Sequence, residues 1–304
     1  MNIENIDSNQ QKQCSFCGRT QLEVGVLVAG VSTFICDACI KRSSDILAST
    51  EPSGHSVGGL VEVLLNPGIE FQMHSSALKN ILQKTSFAMG DQDKRTFLNG
   101  VLIEIEQDRI RAVATNGHWL ATCETQVNHG LEHVQHMILA RDGVVELQMQ
   151  LESVTEDLTV SIKDNYFCVD SSDVACKAEL LFGKYPNYRE VVPNHPHAVV
   201  LNRESLRSLI KKQQVNEANR LIVRLVDGLF MVRGDKSEHW DRLNVDYQGT
   251  EINTGFNQTY LVDVLDAIVG DRVKVNFNTV NSSWRFEAAD KPDAIYIVMP
   301  MKID

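Results

Sequence analysis

From about Val61 onward, short runs in which apolar and polar residues alternate give way, four times, to stretches whose apolar residues recur at helical spacing. The four passages are IEFQMHSSALKNILQKTSF, HMILARDGVVELQMQL, HAVVLNRESLRSLIKKQQ and INTGFNQTYLVDVLDAIVG. In the first, Ala77, Leu78, Ile81 and Leu82 share one helix face; in the third, Leu206, Leu209 and Ile210 do. Each helix opens beside a short polar side chain that can accept from the free N–H groups of the first turn: Ser75, Asp142, Asn202 and Asn257. Alternating strand patterns fill the intervals, as in LTVSIKDNYFCVD, LIVRLVDGLFMVRG and VKVNFNTVNSSWRFEA, and Asp227-Gly228 reads as a tight hairpin turn. One such unit takes about 50–65 residues, and two units make a domain-sized block. The spacing predicts an α+β chain with two domains, 61–192 and 193–304, each internally duplicated.

The N-terminal part follows another rule. Cys14 and Cys17 form one C-x-x-C, Cys36 and Cys39 a second, with 18 residues between them. Two such knuckles wrap four thiolates around one tetrahedral ion, for which zinc is the usual occupant. Gly18 supplies the turn after the first pair. A four-thiolate site is closed, so it predicts a structural staple and no catalyst. Ile40, Ile46 and Leu47 form a short helical stripe after it. The module is expected to span 1–50, and the Gly-, Ser- and Pro-rich stretch 51–60 reads as a linker.

Composition narrows the function classes. The formal net charge of −11 argues against a chain that coats nucleic acid with its whole surface, and leaves room for a local basic stripe. No apolar run approaches the length of a membrane span, and the polar, acid-bearing N-terminus is no signal peptide, so the expectation is a cytoplasmic protein with no membrane partner. Cys123, Cys168 and Cys176 sit in apolar-rich segments as buried or half-buried thiols. His129, His133, His136, His195 and His197 lie in polar, loop-like stretches without neighbouring cysteines and are expected at the surface. No phosphate-binding G-x-x-x-x-G-K-[ST] loop and no G-x-S-x-G elbow occurs, and the expectation is a protein that is not an enzyme.

Several motifs then carry a specific likeness. They are Phe97-Leu98-Asn99-Gly100, the run Ala114 to Ala121 (ATNGHWLA), Tyr185-Pro186-Asn187-Tyr188-Arg189, Gly255-Phe256-Asn257 with Tyr260, and Tyr296 to Lys302 (YIVMPMK). In this order they resemble the middle and C-terminal domains of the bacterial sliding clamp, the β subunit of DNA polymerase III. Residues 13–50, cysteine spacing included, resemble the N-terminal zinc domain of the unfoldase ClpX. The resemblance implies two DNA-clamp domains of the processivity fold preceded by a small zinc-binding domain, which stands where the clamp's first domain is expected and that domain is not. It implies a peptide groove built from Leu98, Thr115, Gly117, His118, Leu120, Pro186, Val191, Asn257, Tyr260, Val298, Met299, Pro300 and Met301. Apolar walls of this kind anchor short hydrophobic segments of replication and repair proteins. Trp119, Glu190 and Asn219 depart from the family's usual residues, and the chain runs on through Ile303 and Asp304.

A clamp also needs cations facing duplex DNA. The candidates are Lys79 and Lys84 on the first helix and Arg203, Arg207, Lys211 and Lys212 on the third; the second and fourth helices are net acidic. The resemblance leaves two assemblies open, a trimeric ring of two-domain chains or a dimer joined through the zinc modules. It also leaves two functions: a clamp-like module of DNA replication or repair that engages DNA and clamp-binding peptides, or a non-sliding adaptor that recruits proteins through the zinc domain and competes with a true clamp.

Overall fold

The computed structural model describes residues 12–29, 33–41, 43, 69–106, 108–130, 134–163, 165–192 and 195–303. The linker expected at 51–60, the domain start at 61, Ile46, Leu47 and His133 lie outside the described residues. The chain divides into two compact units, 1–67 and 68–304.

In the first unit, β1 (Leu27–Ala29) and β2 (Phe34–Cys36) form an antiparallel hairpin. Helical backbone begins at Asp37 and carries Cys39 back toward the first knuckle. The core here is mostly sulfur: Cys14, Cys36 and Cys39 are buried, with Val24, Leu27 and Ile35 packed on them. A core that small does not hold a fold without a staple.

The second unit is built from one motif used twice over. Its first half contains β3 (Ile69–His74), α1 (Ser75–Gln83), β4 (Gly100–Glu106), β5 (Arg109–Thr115), β6 (Trp119–Gln126), β7 (Gln135–Ala140), α2 (Arg141–Gln150), β8 (Asp157–Lys163), β9 (Tyr166–Asp170) and β10 (Ala175–Leu181). Its second half contains β11 (His197–Asn202), α3 (Arg203–Lys211), β12 (Arg220–Val226), β13 (Leu229–Gly234), β14 (Asp241–Asn244), β15 (Ile252–Asn257), α4 (Gln258–Ala267), β16 (Arg272–Phe277), β17 (Trp284–Ala288) and β18 (Ala294–Val298). Strand directions and helix positions repeat between the halves, as the periodicity predicts.

Two halves become one body through β18. It pairs antiparallel with β17 on one side and with β6 on the other, from Trp119↔Val298 to Cys123↔Ala294. A twelve-stranded sheet results, in the order β11-β16-β17-β18-β6-β5-β4-β7-β10-β9-β8-β3, beside a four-stranded sheet β14-β13-β12-β15. Beneath them the helices bury the stripes read from the sequence: Leu78, Ile81 and Leu82 from α1, and Leu206, Leu209 and Ile210 from α3.

Local signals mostly act as expected. Asn202 accepts from Ser205 N and Asn257 from Tyr260 N, so both cap their helices. Asp227 and Gly228 have φ of 36° and 75°, the two left-handed residues of a type I′ hairpin. Two caps differ. His74 caps α1 through Nδ1, because Ser75 is buried inside the first turn and bonds Val154 O at 3.0 Å. Ala140 stands at the start of α2, and Asp142 lies within the first turn, where it still faces the positive helix end. His129 is also not a surface residue: it is buried, edge-on to Phe71 at 5.7 Å and in contact with Glu106 O.

Candidate functional site

Two places carry candidate chemistry. In the N-terminal unit, Gly18 takes φ of +74° and donates to Cys14 O at 2.8 Å, which turns the first knuckle inward. Cys36 N donates to Cys14 Sγ at 3.3 Å. The Sγ atoms of Cys14 and Cys39 lie 3.8 Å apart, those of Cys17 and Cys36 3.7 Å apart, and all four fall within 4.8 Å of one another. Disulfide sulfurs sit about 2.05 Å apart, so these are not disulfides. Thiolates placed about 2.3 Å from a common tetrahedral centre are separated by about 3.8 Å. The donor set therefore fits one zinc ion. Burial works against the Cys14 thiolate, but N–H groups of Cys17, Cys36 and Phe16 bring its pKa down to about 6. Burial and the neighbouring sulfurs push Cys39 up, and burial raises Cys17. Four sulfurs this close do not all ionise without a cation among them.

The second place lies where β6 meets β18. A cavity of about 200 Å³ there is lined by Leu98, Thr115, Gly117, Leu120, Pro186, Val191 and Met299, all expected groove residues, together with Arg95, Trp119, Asn187, Tyr188 and Ile297. Gly117, with φ of +90°, lets the chain turn beneath Arg95; a Cβ here would stand 3.1 Å from its guanidinium. Thr115 Oγ1 accepts from Gly117 N at 3.0 Å and fixes the same turn. Val191 and Met299 are exposed on the rim. A larger cleft of about 560 Å³ lies beside Glu104, His136 and Lys184. Charged side chains line it, with Glu104 bound to Arg189, so the smaller cavity is the better apolar receptor.

The remaining expected groove residues do not line this cavity. Val298 is buried in β18, and Asn257 is spent capping α4. Met301 N donates to Gly255 O at 2.8 Å, which ties the C-terminal segment to β15. His118 is exposed, and its carbonyl accepts from Met299 N at 2.9 Å. Tyr260 stacks on Trp119 with ring centroids 4.3 Å apart and planes 13° apart, and accepts from Asn116 Nδ2 at 3.2 Å. Trp119 is thus a buried wall of the site, where a basic residue is usual in the resembled family. Its indole N–H has no partner among the described residues.

One wall is held by ions. Pro186, Tyr188 and Val191 belong to the segment joining the two halves, and Glu104, 1% exposed, pins that segment. Tyr188 Oη donates to Glu104 Oε2 at 2.6 Å, Arg189 reaches both Glu104 oxygens at 3.0 and 2.8 Å, and Arg111 reaches Oε2 at 3.0 Å. Burial pushes the Glu104 carboxyl up, but these donors more than offset it and hold its pKa below the usual range. Sequence reading did not find this cluster.

The candidate DNA-facing cations are mostly engaged. Lys84 is a correction: it is buried and paired with Asp293 from the loop before β18, so it does not face solvent. Arg203 donates to Leu265 O at 3.0 Å and Gly270 O at 2.8 Å, closing the end of α4. Arg207 pairs with Asp266, and Lys212 with Asp241 at 2.7 Å. Lys79 donates to Glu152 O at 2.6 Å, and Lys211 is exposed. No helix among the described residues is long and apolar enough to cross a membrane.

Comparison with known proteins bears on both sites. Residues 12–49 match the ClpX C4-type zinc finger, residues 72–187 the DNA polymerase III beta subunit, central domain, and residues 193–302 its C-terminal domain. The beta sliding clamp of Pseudomonas aeruginosa is 31% identical over 245 residues, covering 78% of this chain and 67% of that protein. The chain belongs to the beta sliding clamp family. The clamp of Pseudomonas putida is 30% identical over 238 residues, and this chain spans 65% of its length. A crystal structure of the P. aeruginosa DNA polymerase sliding clamp with ligand matches with a TM-score of 0.75 and 27% identity, over 91% of this chain and 74% of that one. The clamp fold is thus shared over β3 to β18, and the zinc-finger match stands ahead of it.

Proposed function

We propose that this chain is a non-enzymatic, clamp-type binding protein of DNA replication or repair that holds short apolar peptides of its partners in the cavity between β6 and β18. The preformed apolar cavity carries this reading, since seven residues expected in a groove converge on it. The Trp119–Tyr260 stack makes one wall of the cavity rigid. In the N-terminal unit a zinc ion held by Cys14, Cys17, Cys36 and Cys39 would fix a module for self-association or protein docking. The divisions 1–50, 51–60, 61–192 and 193–304 are proposed as its domain plan.

A labelled peptide with apolar anchors, titrated by fluorescence anisotropy, tests the groove. Val191→Asp and Met299→Asp place a charge on exposed rim positions, so the fold tolerates them. Each is expected to weaken binding at least about tenfold, or about 1.4 kcal/mol. Equal affinity for wild type and both variants overturns the groove reading.

The paired state of Arg203, Arg207, Lys84 and Lys212 favours a second reading, an adaptor that docks peptides without sliding on DNA. Duplex binding is expected to be weak and to depend only shallowly on salt. Lys79→Glu with Lys211→Glu is expected to abolish it in low salt; binding unchanged by that pair removes these helices from any DNA contact.

A further inference from the structure

We propose that Glu190 makes the cavity between β6 and β18 selective for a basic partner, an apolar peptide anchor flanked by Lys or Arg. This selectivity rests on the groove reading above and adds the charge of the ligand to it.

One charged side chain, Arg95, lines the cavity, and its guanidinium is already spent. Nε donates to Asp93 Oδ1 at 3.0 Å, and Nη2 donates to Asp93 Oδ2 at 2.8 Å and to Asn116 O at 3.2 Å. A bidentate carboxylate of this kind occupies the donors that an acidic ligand would need. Arg189, in the joining segment, is held by Glu104 at 2.8 Å and Glu106 at 3.0 Å. Neither arginine offers an acidic peptide an unpaired cation.

Glu190 is in the opposite state. It belongs to the single 3-10 turn Tyr188–Val191, whose two end residues both line the cavity. Its N–H donates to Asn187 O at 3.2 Å, and its Oε1 accepts from Asn187 Nδ2 at 2.7 Å. Asn187 also lines the cavity, so the carboxylate is fastened to the wall. Glu190 is exposed, and among the described residues the donor that holds its carboxylate is a neutral amide. Its negative charge is therefore uncompensated. Val191, the next residue, is exposed on the rim, so a chain packed across it passes close to this carboxylate.

Long basic side chains suit the place. Their methylene stems cover apolar rim while the charged head stays in water beside the carboxylate. An Asp or Glu would meet like charge, and the net charge of −11 on the chain adds to that repulsion.

Three labelled peptides with the same apolar anchors and Lys, Gln or Asp flanks, titrated by fluorescence anisotropy in low salt, test the proposal. The wild type is expected to bind the Lys peptide about fivefold tighter than the Asp peptide, the scale of an exposed ion pair. Glu190→Gln keeps an acceptor for Asn187 Nδ2 and should bring that ratio toward one; Glu190→Lys should invert it. Glu152→Lys, just past α2 and outside the lining, changes the charge of the chain as much and should leave the ratio unchanged. The ratio should also collapse in about 1 M salt, where the screening length is about 3 Å. Equal affinities for the Lys and Asp peptides in the wild type, a ratio that survives Glu190→Gln, or one that Glu152→Lys shifts as far as Glu190→Lys overturns the proposal. The Gln peptide separates the two readings. If it binds while the Lys and Asp peptides bind equally, the selectivity alone fails; if none of the three binds, the groove reading fails and the selectivity with it.

Discussion

Changing Cys36 and Cys39 to Ser is expected to unfold the N-terminal module and leave the clamp body intact. Metal analysis of the wild type should find one zinc per chain, and the double variant none. The reason lies in what else that unit has to hold it. Among its described residues the buried ones are three of the cysteines themselves, with Val24, Leu27 and Ile35 packed on them beside a short hairpin. Apolar burial on that scale does not offset the ordering of some thirty residues, whereas a structural zinc contributes on the order of 10–16 kcal/mol in zinc-finger peptides. A chelator should therefore act like the double variant. Limited proteolysis reads the outcome: cleavage within residues 12–43 should become fast, while the segment from Ile69 onward stays protected. Iron at the site, or disulfides in freshly prepared protein at sulfurs now 3.7 and 3.8 Å apart, would overturn the zinc assignment.

The four-cysteine cluster was legible because a CxxC knuckle is a local affair, set by residues three apart and a glycine after them. Helix stripes, the Asn202 and Asn257 caps and the Asp227-Gly228 turn were legible for the same reason. Lys84 was not. Its partner Asp293 is remote in sequence, and only the β6–β18 pairing brings the loop before β18 over the end of α1. An isolated lysine after an amphipathic helix looks like a solvated cation until that pairing is known. The groove was half legible through resemblance, but Trp119 and Tyr188 were not recognised as its walls. Trp119 is buried because Tyr260, from the other half of the body, stacks on it. Nothing within the run Ala114 to Ala121 announces that partner.

Glu104→Ala is expected to produce a large loss of stability in the clamp body, about 1–3 kcal/mol, the usual cost of leaving buried hydrogen-bonding groups without their partner. The carboxylate is almost fully enclosed and accepts from Arg111, Arg189 and Tyr188. Removing it leaves Arg111 with Glu106 and Glu124, but Arg189 with Glu106 alone, and leaves the Tyr188 hydroxyl without its carboxylate. Tyr188 and Pro186 then lose the anchor that holds them against the cavity, so peptide affinity should fall together with stability. The midpoint of urea unfolding, followed by tryptophan fluorescence, measures the first effect, and the peptide titration measures the second. Acid supplies an independent check. The folded Glu104 carboxyl titrates below its unfolded value of about 4.3, so its contribution is complete above that pH and is lost as pH falls through the lower, folded value. Wild-type stability should thus drop more steeply on acidification than that of Glu104→Gln. Equal midpoints for wild type and Glu104→Ala would show instead that Arg111 on Tyr188 Oη at 3.3 Å and Arg189 on Glu106 at 3.0 Å hold the joining segment without help from Glu104.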